Sequence, residues 1–417
     1  MTVSAISPSA KLAAILIGIA VPCLVFGRVV IAVLLVLAVI LVVWLPERRR
    51  YWQALVGQIR TPIGAMVLVT LALWLPSMAV SPLPLRSFEA WARIPVFIGL
   101  IGYFWAMLSA ERQAHALALK ALLAAGAATA MFAVMALTVL PDEVVSFIRL
   151  RGWNKYPAVI LPREVFKEYA SMAILLIPVL VWAGRRLGGR WPALSVATVV
   201  GLLVVIWLTR NRSALAGLSM MMVVGAGLTM ARRRNLAINV VISVVAIAVL
   251  AALVLWLHET RGSIQPPEET VAIVPPWLLD WQRQTIWART IEMGMNSPWI
   301  GNGINVINLL PGADDPLATS GLHIIPAHPH NWLVEVFAET GVFGAFALLA
   351  LVLTLCLKLA GGYLKSCDAA LLAALLVNVG YWGSGLLNFS FWSAWWQVGY
   401  LLMTGLCLAG WKSGKTD

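Results

Sequence analysis

Twelve apolar runs, separated by charged or Pro/Gly-containing breaks, constrain this chain more than any other feature. They lie at about 11–27, 29–45, 62–80, 90–108, 114–140, 168–183, 193–209, 213–231, 236–257, 332–357, 368–387 and 392–411. A stretch of roughly 17 to 25 apolar residues, wound as a helix, matches the hydrocarbon thickness of a bilayer, whereas a barrel strand needs only about 10 residues of alternating character. No such alternation is present, so the spanning elements are expected to be helices. The chain is 61% hydrophobic and 12% charged, and soluble chains carry roughly twice that charged fraction. The predicted fold is all-α, a polytopic integral membrane protein with about twelve transmembrane helices. Residues 1–417 are expected to form a single membrane domain without an appended soluble one.

The first run, Lys11 to Gly27, follows a lone cation, lacks a small-x-small cleavage site and leads through Arg28 straight into the next run. It reads as a retained helix rather than a signal peptide. Cys23, Cys356, Cys367 and Cys407 lie in or beside apolar runs and form no CxxC pair, so they read as small packing residues.

Connections after even-numbered runs carry Arg48, Arg49, Arg50, Arg60, Arg112, Arg185, Arg186, Arg190, Arg232, Arg233, Arg234, Lys358 and Lys365, and the tail adds Lys412 and Lys415. The positive-inside rule places these connections and both termini in the cytoplasm. Two long connections, 141–167 and 258–331, then face outward. The second contains Pro266, Pro267, Pro275 and Pro276, and a loop of that length is usually functional. Within it, Trp277 to Asn296 has helical spacing, with Trp277, Trp281, Ile286 and Trp287 suited to the headgroup zone. An interfacial helix under a cap is expected there.

The outward connections should be poor in cations, yet they hold Arg86, Arg149, Arg151, Lys155, Arg163, Lys167, Arg210, Arg212, Arg261, Arg283 and Arg289. An anionic substrate on that face would account for the excess, because guanidinium forks bind phosphate bidentately and keep their charge. Thr209-Arg210-Asn211-Arg212-Ser213 is the most informative site, since it separates two apolar runs with almost no loop. Ionisable groups at such depth point to function, although snorkelling stop signals are the competing explanation. Arg283 and Arg289 are six residues apart and so point to different faces of a helix; Arg283 is the preferred member, and Arg289 a substrate-binding alternative or a solvated residue.

Ala327-His328-Pro329-His330-Asn331 precedes the tenth run, with Asn331 placed to cap its helix. Histidine is the side chain best suited to accept a proton near neutral pH. Two other readings compete: a zinc site from His323, His328 and His330, and a structural pair at a helix start. Asp314-Asp315 reads as a loop turn. Trp153 and Trp332 read mainly as interface anchors, with sugar stacking as the alternative.

The T-R-N-R-S turn, R-Q-T-I-W followed by N-S-P-W-I-G-N-G, and H-P-H-N leading into E-T-G-V-F-G, in that order over about 200–350, resemble the O-antigen ligase and O-antigen polymerase superfamily. The resemblance implies a GT-C-like membrane glycosyltransferase of the bacterial inner membrane with a periplasmic active site. Its implied partners are an undecaprenyl-diphosphate-linked O-antigen donor, a lipid A core acceptor and membrane lipids, with no nucleic acid. It further implies metal-independent, inverting transfer without a cofactor, with Arg212 and Arg283 holding the diphosphate and His330 as base. His328 and Asn331 are then expected to support His330 or the sugar, and Arg210, Arg149, Arg151 and Lys155 to meet acceptor phosphates. The family often has Ser-Arg-Gly where this chain has Asn211-Arg212-Ser213. A polymerase using a prenyl-linked acceptor, and a transporter or flippase of an anionic lipid, are the alternatives; transporters often carry internal repeats, and no half-to-half similarity is evident here.

Overall fold

A computed structural model describes residues 6–141, 145, 162–232, 236–260, 281–316 and 323–413. Expectations for Arg149, Arg151, Trp153, Lys155, Arg261 and Trp277 lie outside the described residues, as does the Arg163 side chain. The helices are α1 (Pro8–Ala20), α2 (Arg28–Val43), α3 (Arg48–Ile59), α4 (Pro62–Leu73), α5 (Leu75–Ala79), α6 (Pro84–Ala110), α7 (Arg112–Thr138), α8 (Pro162–Val165), α9 (Lys167–Leu187), α10 (Trp191–Leu208), α11 (Arg212–Arg232), α12 (Leu236–Thr260), α13 (Trp281–Met295), α14 (Trp332–Ser366), α15 (Ala369–Gly385) and α16 (Ala394–Ser413). Among the described residues the β content is one isolated bridge, Pro316 to His323.

Every one of the twelve expected runs contains a helix. Among the described residues seven are long and apolar enough to cross a membrane, or eight if the bent pair α2–α3 is one span, while α1, the first part of α12 and α15 are shorter apolar helices. The protein is thus an all-helical membrane protein. The stretch opening with Arg48, expected as a charged connection, is instead helix α3, bent 115° from α2. Arg, Gln, Ala and Leu favour a helix there, and Tyr51 is buried with its ring edge-on to Tyr103 of α6 at 5.9 Å.

Local signals set several starts. Thr61 accepts from the Gly64 amide at 3.1 Å with Pro62 in the first turn of α4, and Asp368 accepts from the Ala370 amide at 2.8 Å to open α15, as short polar caps do at orphan amides. Helix α9 is the centre of the bundle, buried along most of its length and packed by α7, α10, α11, α15 and α16. At the periphery α12 packs chiefly on α11 and leaves Val240, Val241, Val244 and Val245 exposed, a surface suited to lipid rather than water.

Helix α14 is two helices joined at Gly341, whose φ of 69° and ψ of −175° are not helical. A break strands carbonyls on one side and amides on the other. The N-S-P-W-I-G-N-G segment answers both. Asn302 and Gly303 amides donate to the Ala338 and Glu339 carbonyls at 3.2 and 3.1 Å, and the Val342 amide donates to the Pro298 carbonyl at 2.8 Å. The backbones approach so closely that a Cβ on Gly301 or Gly341 would sit 2.2 or 2.3 Å from the opposing main chain. Both glycines also have positive φ, so only the residue without a Cβ fits.

The Glu339 carboxylate secures the same junction. It accepts from the Asn305, Val306 and Ile307 amides at 2.7 to 2.9 Å and from the Trp392 indole. One turn earlier, Glu335 accepts from the Ser390 hydroxyl at 2.5 Å and the Phe391 amide at 2.7 Å. Each carboxylate is buried and satisfied, which ties α14 to the segment entering α16.

Candidate active site at one end of the bundle

A cavity of about 670 Å³ lies where α9, α11 and α13 begin and where the loops before α14 and after α15 meet them. Its lining includes Arg210, Arg212, Arg283 and His330, together with Lys167 and Asn388. Residues from five segments, spread from Lys167 to Asn388, thus share one space. Any one of them could have faced elsewhere.

Asn211 organises the T-R-N-R-S turn. Its Nδ2 donates to the Lys167 carbonyl at 2.8 Å and the Ser171 hydroxyl at 2.9 Å, while its Oδ1 accepts from the Ser213 hydroxyl at 2.7 Å and the Ala214 amide at 3.0 Å. One side chain therefore caps α11 and ties it to α9. Ser213 is buried and spends its hydroxyl on Asn211. Arg210, with φ of 48°, and Arg212 flank this anchor and line the cavity.

The described part of the expected Trp277 to Asn296 helix is α13, Trp281–Met295. Ile286 and Trp287, expected in the headgroup zone, are buried against Leu387 instead. The Trp287 indole donates to the Pro329 carbonyl at 2.9 Å, a bond available only inside the protein. That contact fixes the His-Pro-His stretch to α13. Arg283, one turn earlier, reaches the cavity, while Arg289 does not line it. Its guanidinium meets Glu292 at 2.9 Å and Asp315 at 3.3 Å, so Asp315 is an ion-pair partner as well as a loop residue.

His330 adopts φ of 57°, the left-handed region that non-glycine residues occupy at a cost on the order of 1–3 kcal/mol. Its ring stands edge-on to that of His328 with centroids 4.2 Å apart. Burial is the main cause that lowers both imidazole pKa values, to about 4 for His328 and about 2 for His330, and in each case Arg283 lowers it further. A hydrogen bond with the Asn388 backbone opposes this at His330. Both shifts favour the neutral ring at pH 7, and His330 lines the cavity.

His328 does not line the cavity and its buried Nδ1 has no hydrogen-bond partner among the described residues. Asn331 is the expected N-cap, accepting from the Leu333 and Val334 amides at 3.0 and 3.3 Å. Trp332 is buried, its indole donating to the Trp382 carbonyl at 3.1 Å, which makes it a packing residue rather than a sugar platform. His323 is exposed and held to the Asp314 carbonyl at 3.0 Å. Among the described residues no three His, Cys, Asp or Glu side chains converge as a metal site.

Sequence reasoning missed the cavity's Glu164–Lys167 ion pair, 2.5 Å apart, and the contribution of 387–389. The first had a signal in its i,i+3 spacing. The second had none, because a Leu-Asn-Phe stretch carries no distinctive pattern.

No curated protein matches the chain. Residues 197–349 match the model of the family described as O-antigen ligase. That segment contains Arg210, Arg212, Arg283 and His330 together with the interlocked Gly301 and Gly341, so the residues of the cavity lie largely in the part of the chain that is similar to the O-antigen ligase family.

Proposed function

We propose that the protein is an O-antigen ligase of the bacterial inner membrane, moving O-antigen glycan from undecaprenyl diphosphate to the lipid A core on the periplasmic face. The observation that carries the reading is the meeting of Arg210, Arg212, Arg283 and His330 in one cavity at a membrane-bundle end. In this reading 141–167 and 258–331 are periplasmic, the second forming a cap over the site, both termini are cytoplasmic, and the chain acts as one GT-C-like membrane domain.

Arg212 and Arg283 hold the diphosphate and stabilise the charge that grows as the anomeric C–O bond breaks. An acceptor hydroxyl attacks from the opposite face, forming the new C–O bond, and its proton passes to the neutral His330 and then to solvent. The released product is the prenyl diphosphate. One displacement inverts the anomeric centre and needs neither a covalent intermediate nor a metal, because the arginines supply the positive charge. A bound diphosphate offsets the Arg283 charge, a smaller cause of the lowered His330 pKa than burial, and so raises its basicity in part.

His328 backs His330, and Asn331 fixes the helix that follows it. Arg210 adds charge at the cavity rim, and Arg149, Arg151 and Lys155 of the 141–167 segment would meet acceptor phosphates. The outward cations favour a phosphorylated acceptor and hence a ligase over a polymerase. The test is glycan transfer by purified protein, with lipid A core and prenyl-linked glycan offered as separate acceptors. His330→Ala should lower the rate about 10²- to 10⁴-fold, and Arg212→Ala or Arg283→Ala about 10²- to 10³-fold, with thermal stability near that of the parent. Full activity of folded His330→Ala would remove the base assignment.

A further inference from the structure

A second cavity, of about 550 Å³, opens between α2, α6 and the start of α16, and Asn305 and Ser390 place its mouth at the same bundle end as His330. It runs inward to Leu100, which it shares with a third cavity of about 610 Å³ that continues to Arg48 and Arg49. Helices α2 and α6 form both walls yet barely touch one another. The result is an apolar seam along α2 and α6, with cations at either end and Val36 exposed along it.

Two cations stand near the mouth. Arg28 donates from Nε to the buried Glu168 at 2.9 Å and lies 5.5 Å from the Trp395 ring centre. Arg93 is half-buried on α6 and has no hydrogen-bond or ion-pair partner among the described residues. It follows Arg86 by seven residues, about 10 Å along the helix, and Arg86 itself bonds the Asn305 carbonyl at 2.7 Å in the loop layer. An unpaired cation on a membrane-spanning helix is by default a reason to look for a ligand there.

A thin partition separates this seam from the candidate active site. Helix α9 presents Lys167 and Ser171 to the active-site cavity, while its Glu168 pairs with Arg28 at the seam. Phe389 faces the former and Trp395 the latter, their rings 5.0 Å apart. The two cavities are neighbours rather than one space.

We propose that the α2–α6 seam seats the lipid anchor of the acceptor, with Arg93 meeting a phosphate on it. The inference rests on the reading of the protein as a transferase with two lipid-borne substrates. In the donor the diphosphate is bonded directly to the prenyl chain, so that chain must leave from the cavity holding Arg212 and Arg283. In a phosphorylated glycolipid acceptor the attacking hydroxyl lies several sugars away from the phosphate, so its anchor belongs beyond a partition from His330. The seam offers that separation.

The test is native mass spectrometry of the full-length protein in nanodiscs, with bisphosphorylated lipid A, dephosphorylated lipid A and undecaprenyl diphosphate as probes. Arg93→Ala should weaken binding of bisphosphorylated lipid A at least tenfold and leave dephosphorylated lipid A unchanged. Val36→Trp, at a lipid-exposed position, should weaken both lipid A forms. Neither variant should alter undecaprenyl diphosphate binding, and in transfer assays both should raise the acceptor KM with kcat preserved. Unchanged lipid A binding in both variants, or loss of prenyl diphosphate binding in place of it, overturns the proposal. Lipid A binding that obeys these variants in a protein unable to transfer glycan would instead sink the transferase reading and leave the seam in place.

Discussion

Two polar regions at the same end of the bundle are built on opposite principles. At the Gly301–Gly341 junction the Ala338 and Glu339 carbonyls and the Val342 and Phe343 amides of the broken helix bond the opposing loop, and Glu335 and Glu339 are surrounded by donors. In the neighbouring cavity three guanidinium groups gather with His330, and His330 and Arg210 sit at left-handed backbone positions. Satisfied buried polar groups hold a fold, whereas gathered like charges and strained backbone persist where a ligand is to be met. The first region is a scaffold and the second the proposed site.

The contrast is broken most severely at the scaffold. Gly341→Ala places a Cβ against the Trp299 main chain at a positive φ, and a loss of more than about 4 kcal/mol is expected, the range of exceptional single substitutions. Thermal unfolding in detergent should show it, or folded protein should not be recovered. A parent-like melting temperature would mean that the interlock carries little of the fold. The cavity variants His330→Ala and Arg212→Ala should do the reverse, losing transfer while keeping the fold.

Acid pH sharpens the comparison next. The folded pKa values of His328 and His330 lie below the ordinary 6.5, so the unfolded chain binds more protons in the window between. Stability from these residues is therefore complete above pH 6.5 and falls as pH drops toward 4. His328→Leu should lessen the drop in melting temperature between pH 7.5 and 5. In the same window the transfer rate should stay level from pH 7 to 6, where an ordinary imidazole would already be largely protonated; a twofold or greater fall would show a base of ordinary pKa.

Smaller effects separate the elements that carry the site from those beside it. Asn331→Ala should cost about 1 kcal/mol through loss of the α14 cap, read as a lower melting temperature. Arg289→Ala, whose carboxylate partners are exposed, should change stability by no more than about 1 kcal/mol. It should also leave transfer intact, since Arg289 lies outside the cavity, whereas Arg283→Ala should not.

Much of this arrangement was legible in the chain itself. The apolar runs located every long helix because hydrocarbon permits only segments that satisfy their own backbone. The misplaced arginines and the His-Pro-His stretch were visible because charge at a membrane edge demands a reason. The six-residue spacing of Arg283 and Arg289 already required different faces, and Arg283 is the one that reaches the cavity. Helix α3 was obscured because Arg48, Arg49 and Arg50 look like a cytoplasmic loop when burial of Tyr51 is unknown.

Sequence alone, then, determined the helical class, the approximate spans and the residues able to bind phosphate or accept a proton, since these follow from local hydropathy and side-chain chemistry. Tertiary structure decided which of them meet. Asn211 ties α11 to α9, Trp287 holds the Pro329 carbonyl, and two glycines let a loop close across a broken helix. Those contacts join positions far apart in the chain, and their geometry depends on packing that no local pattern records.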